Sequence, residues 1–322
     1  MLVPVLLFIV GLVFLIKGGD WFVEGASGIA HRFRMPELLI GATVVSIGTT
    51  LPEVMVSTQA ALSHNSGISY GNAIGSIICN TSLIAALTIA VRPSKVNRNV
   101  LRMPVLFFFI AAVYYAANAY INKGFSRTQG IVLLAVFVVY LLITILQMKK
   151  ASGENASAAA EAGEERPFWK DVVFLVVGAV LIAVGAHLLV ENGTKIASAL
   201  GVPDSVIGLT MVALGTSLPE LVTAITALAK GHSALSLGNI IGANLFNLVL
   251  VSGAAITISP FAVPVEKTLA GMNASLLVDI PVVFLVMLLL CVPALIKNRL
   301  YRWQGISLLC IYAGFTAFQF LS

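Results

Sequence analysis

The sequence predicts an all-α polytopic membrane protein: ten transmembrane helices in two inverted five-helix repeats, with helices broken at the midplane. Three observations carry this expectation. Of 322 residues, 59% are hydrophobic and only 10% charged, and the mean hydropathy is +1.00. A soluble globular chain carries about a quarter charged residues, so this composition points to lipid as the solvent. The apolar residues fall into runs of the roughly 20 residues that span a bilayer. The chain also repeats itself at an offset of 167 residues. Together these exclude a cytosolic enzyme, a nucleic-acid binder and a secreted disulfide scaffold.

The first span, 2–30, starts directly after Met1 with no basic stretch and no small-residue cleavage site, so it reads as an uncleaved helix. Arg32 and Arg34 separate it from the second, 36–62. The third, 71–91, stops at Arg92-Pro93, and the fourth, 103–121, at Lys123-Gly124. The fifth is 128–147. A polar stretch rich in Ala and Glu, Lys149 to Lys170, follows it; its acids lack the alternation of a calcium loop, and it reads as a solvated linker. The second half supplies 168–197, 204–229, 236–257, 272–296 and 303–321. The expected division is a first transmembrane repeat over 1–147, a cytoplasmic linker over 148–167 and a second, inverted repeat over 168–322. Cys79, Cys291 and Cys310 lie in apolar runs without metal-ligand spacing and read as packing thiols.

Between Ile29–Glu53 and Ile196–Glu220, 12 of 25 aligned pairs are identical, with no gap. The register reaches back to Gly11/Gly178 and Glu24/Glu191 and on through Asn80/Asn247 to Pro93/Pro260. Unrelated apolar segments share scattered Leu and Val, not Pro, Gly, Thr, Glu and Asn in register. Five spans per copy is an odd number, so the second copy enters the membrane from the opposite face. Charge agrees: with the Arg32/Arg34 loop cytoplasmic, 14 loop Lys and Arg fall on that side and 3 on the other. Both termini are then extracytoplasmic. Inverted repeats are the architecture of many secondary transporters, whose sites lie at the midplane between the repeats.

The most informative residues are Gly48-Thr49-Thr50-Leu51-Pro52-Glu53 and Gly215-Thr216-Ser217-Leu218-Pro219-Glu220. A carboxylate at mid-span costs a few kcal/mol or more unless partnered, so its default reading is functional. No Arg or Lys lies close in sequence to either acid, which makes a transported cation the natural partner. Pro52 and Pro219 cannot donate to the helix ladder, and with a glycine four residues earlier the helix can open and free carbonyls near Ser46–Thr49 and Ala213–Thr216. Ser46, Thr49, Thr50 and Glu53 share one helical stripe, as do Ala213, Thr216, Ser217 and Glu220. Carboxylates, hydroxyls and carbonyls form an all-oxygen set, the chemistry of a hard cation such as calcium. No His or Cys joins them, which argues against zinc or copper.

A second motif pair follows: Gly71-Asn72-Ala73-Ile74-Gly75-Ser76 on to Asn80, and Gly238-Asn239-Ile240-Ile241-Gly242-Ala243 on to Asn247. The glycine spacing permits close helix contact. Asn72, Ser76 and Asn80 lie at four-residue steps and can either add neutral oxygens or bond between helices.

On these motifs the chain resembles the sodium/calcium exchanger family of the cation/calcium antiporter superfamily. Its two alpha-repeats carry G-T-[ST]-x-P-E followed by G-N-x-x-G-[SA]. The likeness covers nearly the whole chain and implies a secondary active antiporter exchanging sodium for calcium by alternating access, electrogenic and not an enzyme. It implies that Glu53 and Glu220 ligate calcium with the carbonyls of Thr49 and Thr216. Sodium would use the same carboxylates with Thr50, Ser76, Ser217 and the carbonyls of Ser46 and Ala213, and Asn80 and Asn247 would stand beside the site. It further implies a prokaryotic member in the plasma (inner) membrane, with calcium and sodium as substrates, lipid as surroundings, and no cofactor, nucleic acid or obligate protein partner. The animal members' regulatory calcium-binding domains have no counterpart in the short central loop. Three residues depart from the pattern: Thr50 replaces the usual serine, Ala243 lacks the hydroxyl many members have, and Asn247 replaces the aspartate of potassium-dependent members. The alternative is a cation/proton antiporter using the same glutamates, though the Gly-Asn-Ala-x-Glu pattern of that branch is missing. A paired-acid intramembrane hydrolase fits the symmetric, hydroxyl-rich cage poorly, and nothing resembles the pore loop of a channel.

Overall fold

The structure is a computed structural model and describes residues 2–156, 167–200, 215–265, 268–269 and 272–321. It is almost entirely helical, as expected of an all-α polytopic membrane protein. The first half contains α1 (Leu2–Arg32), α2 (Glu37–Leu62), α3 (Ser66–Val91), α4 (Arg98–Asn122) and α5 (Arg127–Ala156). The second contains α6 (Phe168–Ala199), α7 (Leu218–Ala229), α8 (Ser233–Ile258), α9 (Ser275–Lys297) and α10 (Arg302–Leu321). By length and composition, all except α7 and α10 are long and apolar enough to cross a membrane.

Each observed helix falls on an expected span, and the differences have local causes. α3 begins at Ser66, before the expected Gly71, because Asn65 caps it: Ile68 N donates to Asn65 Oδ1 at 3.1 Å. α5 runs to Ala156, so the first residues of the polar stretch continue the helix. Of the seventh expected span only the part from Gly215 onward is described; residues 204–214, Ala213 included, lie outside the described residues, as do 157–166 of the linker.

The break expected at the two prolines takes two forms. In the second half a turn at Thr216–Ser217 precedes α7, which starts at Leu218 with Pro219 in its first turn, where a missing N–H leaves no bond unmade. In the first half α2 continues as α-helix through Pro52, and the irregularity lies upstream as a π-helical turn, Gly41–Val45. Pro52 still leaves the Gly48 carbonyl without its helical donor. Further π turns span Asn80–Ala85 in α3 and Asn247–Val251 in α8, each opening on the asparagine singled out above. Such turns are rare and concentrate at functional sites.

α3 and α8 match residue for residue at the 167-residue offset, and they lie at the centre: within an apolar 18-residue stretch of each, 72% and 83% of the residues are buried, against 22% in such a stretch of α1 and of α6. The inverted relation is visible in the loops. Strand β1 (Gly124–Phe125), after α4, pairs antiparallel with β2 (Phe261–Ala262), after α8. Lys95, after α3, bridges Arg299, after α9. Paired loops share a face, so each pair joins an end of one half to the same face of the other. A short hairpin of β3 (Thr268–Leu269) and β4 (Met272–Asn273) precedes α9.

Two arginines repeat this relation. Arg127, opening α5, donates from Nε to Thr257 O at 3.0 Å and from Nη2 to Ile258 O at 3.5 Å at the end of α8. Arg302, opening α10, donates likewise to Ala90 O at 2.8 Å and Val91 O at 3.4 Å at the end of α3. Each guanidinium satisfies the last carbonyls of a central helix from the opposite half, where a cation also suits the helix dipole.

α1 and α6 pack on one another through glycines seven residues apart. A Cβ on Gly11 would stand 2.9 Å from Gly185 O, and one on Gly18 would stand 2.9 Å from Gly178 O. Only glycine allows these backbones to approach so closely. Their other faces present large apolar side chains outward, the surface a lipid environment accommodates.

Candidate functional site

The signature residues of α2 and α7 converge on α3 and α8 at the buried centre. Glu53 and Glu220 are both 0% exposed and close enough for their charges to interact. Among the described residues, none of their four carboxylate oxygens has a hydrogen-bond partner, and no Lys or Arg forms an ion pair with either. Glu220 stands in the first turn of α7, where the helix N-terminus favours negative charge, but no Lys or Arg among the described residues forms an ion pair with either acid. Two like charges buried together without a partner are costly, and a bound cation is what would relieve that cost.

The neutral donors around them are also buried. Thr50 Oγ1, Ser217 Oγ, and both side-chain polar atoms of Asn80 and of Asn247 lack partners among the described residues. Ser76 is buried and Thr216 is half-buried at the turn before α7. All of these atoms are oxygens except the two amide nitrogens. No cluster of three or more His, Cys, Asp or Glu occurs among the described residues. This is a donor set for a hard cation.

Ser46 and Thr49 have a different place. Ser46 Oγ lies 2.7 Å from Gly41 O and 2.9 Å from Asn239 O, while Thr49 Oγ1 donates to Asn239 Oδ1 at 3.1 Å. Their hydroxyl hydrogens help join α2 to α8, while the lone pairs of both hydroxyls and the carbonyls remain available to an ion. Here α8 approaches α2 so closely that a Cβ on Gly238 would collide with Leu38 O and one on Gly242 with Ser46 Oγ. Asn72, in register with Asn239, bonds instead within its own half: its Nδ2 donates to Glu53 O at 3.0 Å and Ser57 Oγ at 2.8 Å. The side-chain bonds of Asn72 and of Asn239 both run between helices. At Ala243, fully buried, no hydroxyl is available.

Sequence reasoning missed Thr223 and the pair Ser69 and Ser236, whose buried hydroxyls lack partners among the described residues. Ser69 and Ser236 are in register at 167 residues, a signal that was available. Cys79 and Cys291 are buried free thiols and Cys310 is exposed.

The sequence matches the family described as sodium/calcium exchanger protein over residues 3–146 and 170–321. It is 34% identical to the putative antiporter CaxA of Alkalimonas amylolytica, covering 100% of both chains. It is 30% identical to the sodium/calcium exchanger MaX1 of Methanosarcina acetivorans, covering 98% of each. An uncharacterized membrane protein of Methanocaldococcus jannaschii is 37% identical over 95% of this chain and 94% of its own. Among solved structures, the sodium-calcium exchanger NCX_Mj soaked with sodium and strontium superposes with a TM-score of 0.80 at 35% identity, covering 97% of both chains.

Proposed function

Because this chain belongs to the sodium/calcium exchanger family, and is an integral membrane transporter rather than an enzyme, we propose that it exchanges sodium for calcium electrogenically at one shared central cage. The observation that carries this reading is the pair Glu53 and Glu220, one from each half, buried with all four oxygens unpartnered among the described residues. Two carboxylates give the cage a charge near −2, which one calcium ion or two to three sodium ions can offset. Since both ions compete for the same oxygens, the site moves loaded with one or the other. An empty, doubly negative cage is costly to carry through a low-dielectric centre. Exchange is thereby favoured over leak.

In this reading Glu53 and Glu220 hold calcium with the carbonyls of Thr49 and Thr216. Sodium uses the carboxylates, the hydroxyls of Thr50, Ser76 and Ser217, and the carbonyls of Ser46 and Ala213, with Asn80 and Asn247 beside them. The inverted halves supply two equivalent routes to the cage, one from each face, and access alternates between them. The excess of basic loops on the Arg32/Arg34 side supports that side as cytoplasmic, with both termini outside the plasma membrane of a prokaryote. Neutral Asn80 and Asn247 support exchange without potassium.

The test is calcium uptake into proteoliposomes under an imposed sodium gradient, compared with an imposed pH gradient. Uptake driven by sodium supports this reading. Uptake driven by protons and indifferent to sodium transfers the same two glutamates to a cation/proton antiporter.

A further inference from the structure

α7 leaves the cage at Glu220 and ends at Ala229, and the loop Lys230-Gly231-His232 turns the chain into α8. This loop holds α1 at two places. Lys230 Nζ donates to Asp20 O at 2.9 Å and lies 3.4 Å from Asp20 Oδ1 and 3.9 Å from Glu24 Oε2. His232 Nδ1 stands 2.6 Å from Glu37 Oε1 at the start of α2 and 3.4 Å from Ser27 Oγ of α1. Between the cage and this grip α1 lies directly on α7: a Cβ on Gly19 would meet Val222 Cγ1 at 2.7 Å and Thr226 Oγ1 at 2.8 Å.

The other half carries the matching loop with different chemistry. Ser63, His64 and Asn65 correspond to Lys230, Gly231 and His232 at the 167-residue offset. Serine brings no charge, and Asn65 is engaged in capping α3. His64 turns to α8, its Nδ1 3.1 Å from Ser259 Oγ. Glu191 of α6, the match of Glu24, is neutralised within its own helix by Lys195 at 2.7 Å, with His187 at 3.3 Å. Charge therefore ties α1 to the α7–α8 loop at the basic face, whereas at the other face the matching acid pairs along α6.

The turns between the cage and this grip contain buried polar groups with nothing to bond. Thr223, one turn past Glu220 on α7, and Ser236, one turn before Asn239 on α8, are 0% and 3% exposed. Their hydroxyls and the Asn239 amide nitrogen lack partners among the described residues. Such groups are costly in an interior that stays dry, and water reaching them in a second conformation relieves that cost. Val56, the match of Thr223 on the other face, is 38% exposed. Building on the exchange reading above, we propose that the cation route from the cage to the basic face follows α7 and α8 past Thr223 and Ser236. Lys230 latches α1 over that route through Asp20 and Glu24. This structure is then the state closed at the basic face, and a latch built at that face alone biases the protein towards it.

The latch is tested by thiol labelling of the full chain in detergent, with a water-soluble maleimide and no ion gradient. Thr223→Cys reports the route at the basic face, Val56→Cys reports the matching position at the other, and the wild type corrects for the native cysteines. A partly exposed ion pair shifts an equilibrium by about two- to fivefold, so Lys230→Gln should speed labelling of Thr223→Cys by that factor. Val56→Cys should label no faster, and Lys230→Arg should keep the labelling of Thr223→Cys slow. Equal rates with Lys and Gln at position 230 overturn the proposal, as does a rise at both reporters, which is general loosening. Hydrogen–deuterium exchange needs no introduced cysteine: Lys230→Gln should speed exchange over α7 and the first turns of α8, and Lys195→Gln should not. Unaltered exchange there in Lys230→Gln overturns the proposal. An antiporter that carried protons in place of sodium would need the same latch, so these outcomes are separate from failure of the sodium/calcium reading.

Discussion

Thr49 Oγ1 donates to Asn239 Oδ1 at 3.1 Å, so the Gly-Thr-Thr-Leu-Pro-Glu helix of one half is tied directly to the Gly-Asn-Ile-Ile-Gly-Ala helix of the other. Both residues are buried, Asn239 at 0% exposure, and the amide has no water to turn to if the bond is lost. Thr49→Val keeps the shape and removes the donor. It should cost about 1–3 kcal/mol of stability, the penalty for orphaning a buried polar group. Thr49→Ser should restore most of it. Thermal unfolding in detergent compares the three proteins; equal midpoints for valine and threonine would count against the bond.

Close contact between α2 and α8 depends on glycine. A Cβ on Gly238 meets the Leu38 backbone, which cannot move aside without shifting the helix. Gly238→Ala should therefore destabilise by about 1–3 kcal/mol, as overpacking does, and lower the calcium transport rate by displacing Asn239. Gly314→Ala in α10 serves as control, because no described atom lies within 4 Å of its added methyl. Equal behaviour of the two variants would show that the contact is not tight.

The inverted arginine caps predict matched effects. Arg127→Ala and Arg302→Ala each remove a guanidinium from the last carbonyls of a central helix, and each should cost about 1 kcal/mol. Unfolding midpoints should fall by similar amounts. A large loss in one and none in the other would break the proposed equivalence.

Potassium offers a test of Asn247. A potassium ion carried with calcium adds a positive charge to a cage whose two glutamates calcium already matches, and burying that charge requires a further carboxylate. Asn80 and Asn247, fully buried beside the cage, are neutral. Sodium-dependent calcium flux should continue with potassium replaced by choline on both sides. Asn247→Asp should introduce sensitivity to potassium or to protons. A wild-type flux that collapses in choline contradicts this account of Asn247.

Much of this was legible in the sequence because the halves diverged little where charge sits at membrane depth. Glu53 and Glu220, their prolines and their glycines align without a gap, and a buried acid announces itself by its cost. The packing was less legible. Gly18 and Gly25 of α1 read as ordinary residues of an apolar run until α6 lies against them. The Arg-x-Gln-Gly pairs at Arg127–Gly130 and Arg302–Gly305 escaped notice because the longer connection after α8 moves the second copy out of the 167-residue register. Proline alone could not say which helix would be interrupted: Pro219 opens one, whereas Pro52 is carried inside an α-helix next to a π turn.

The central claim is that Glu53 and Glu220 together form the cage that binds calcium and sodium in turn. The most direct measurement is sodium-driven calcium uptake by Glu53→Gln and Glu220→Gln in proteoliposomes, with folding checked by thermal unfolding. Each substitution removes half the cage's charge and keeps its shape. Both variants should fold at least as well as the wild type, since no unpartnered charge is left to bury at that position, and both should lose calcium transport. Near wild-type uptake in either variant would contradict the account.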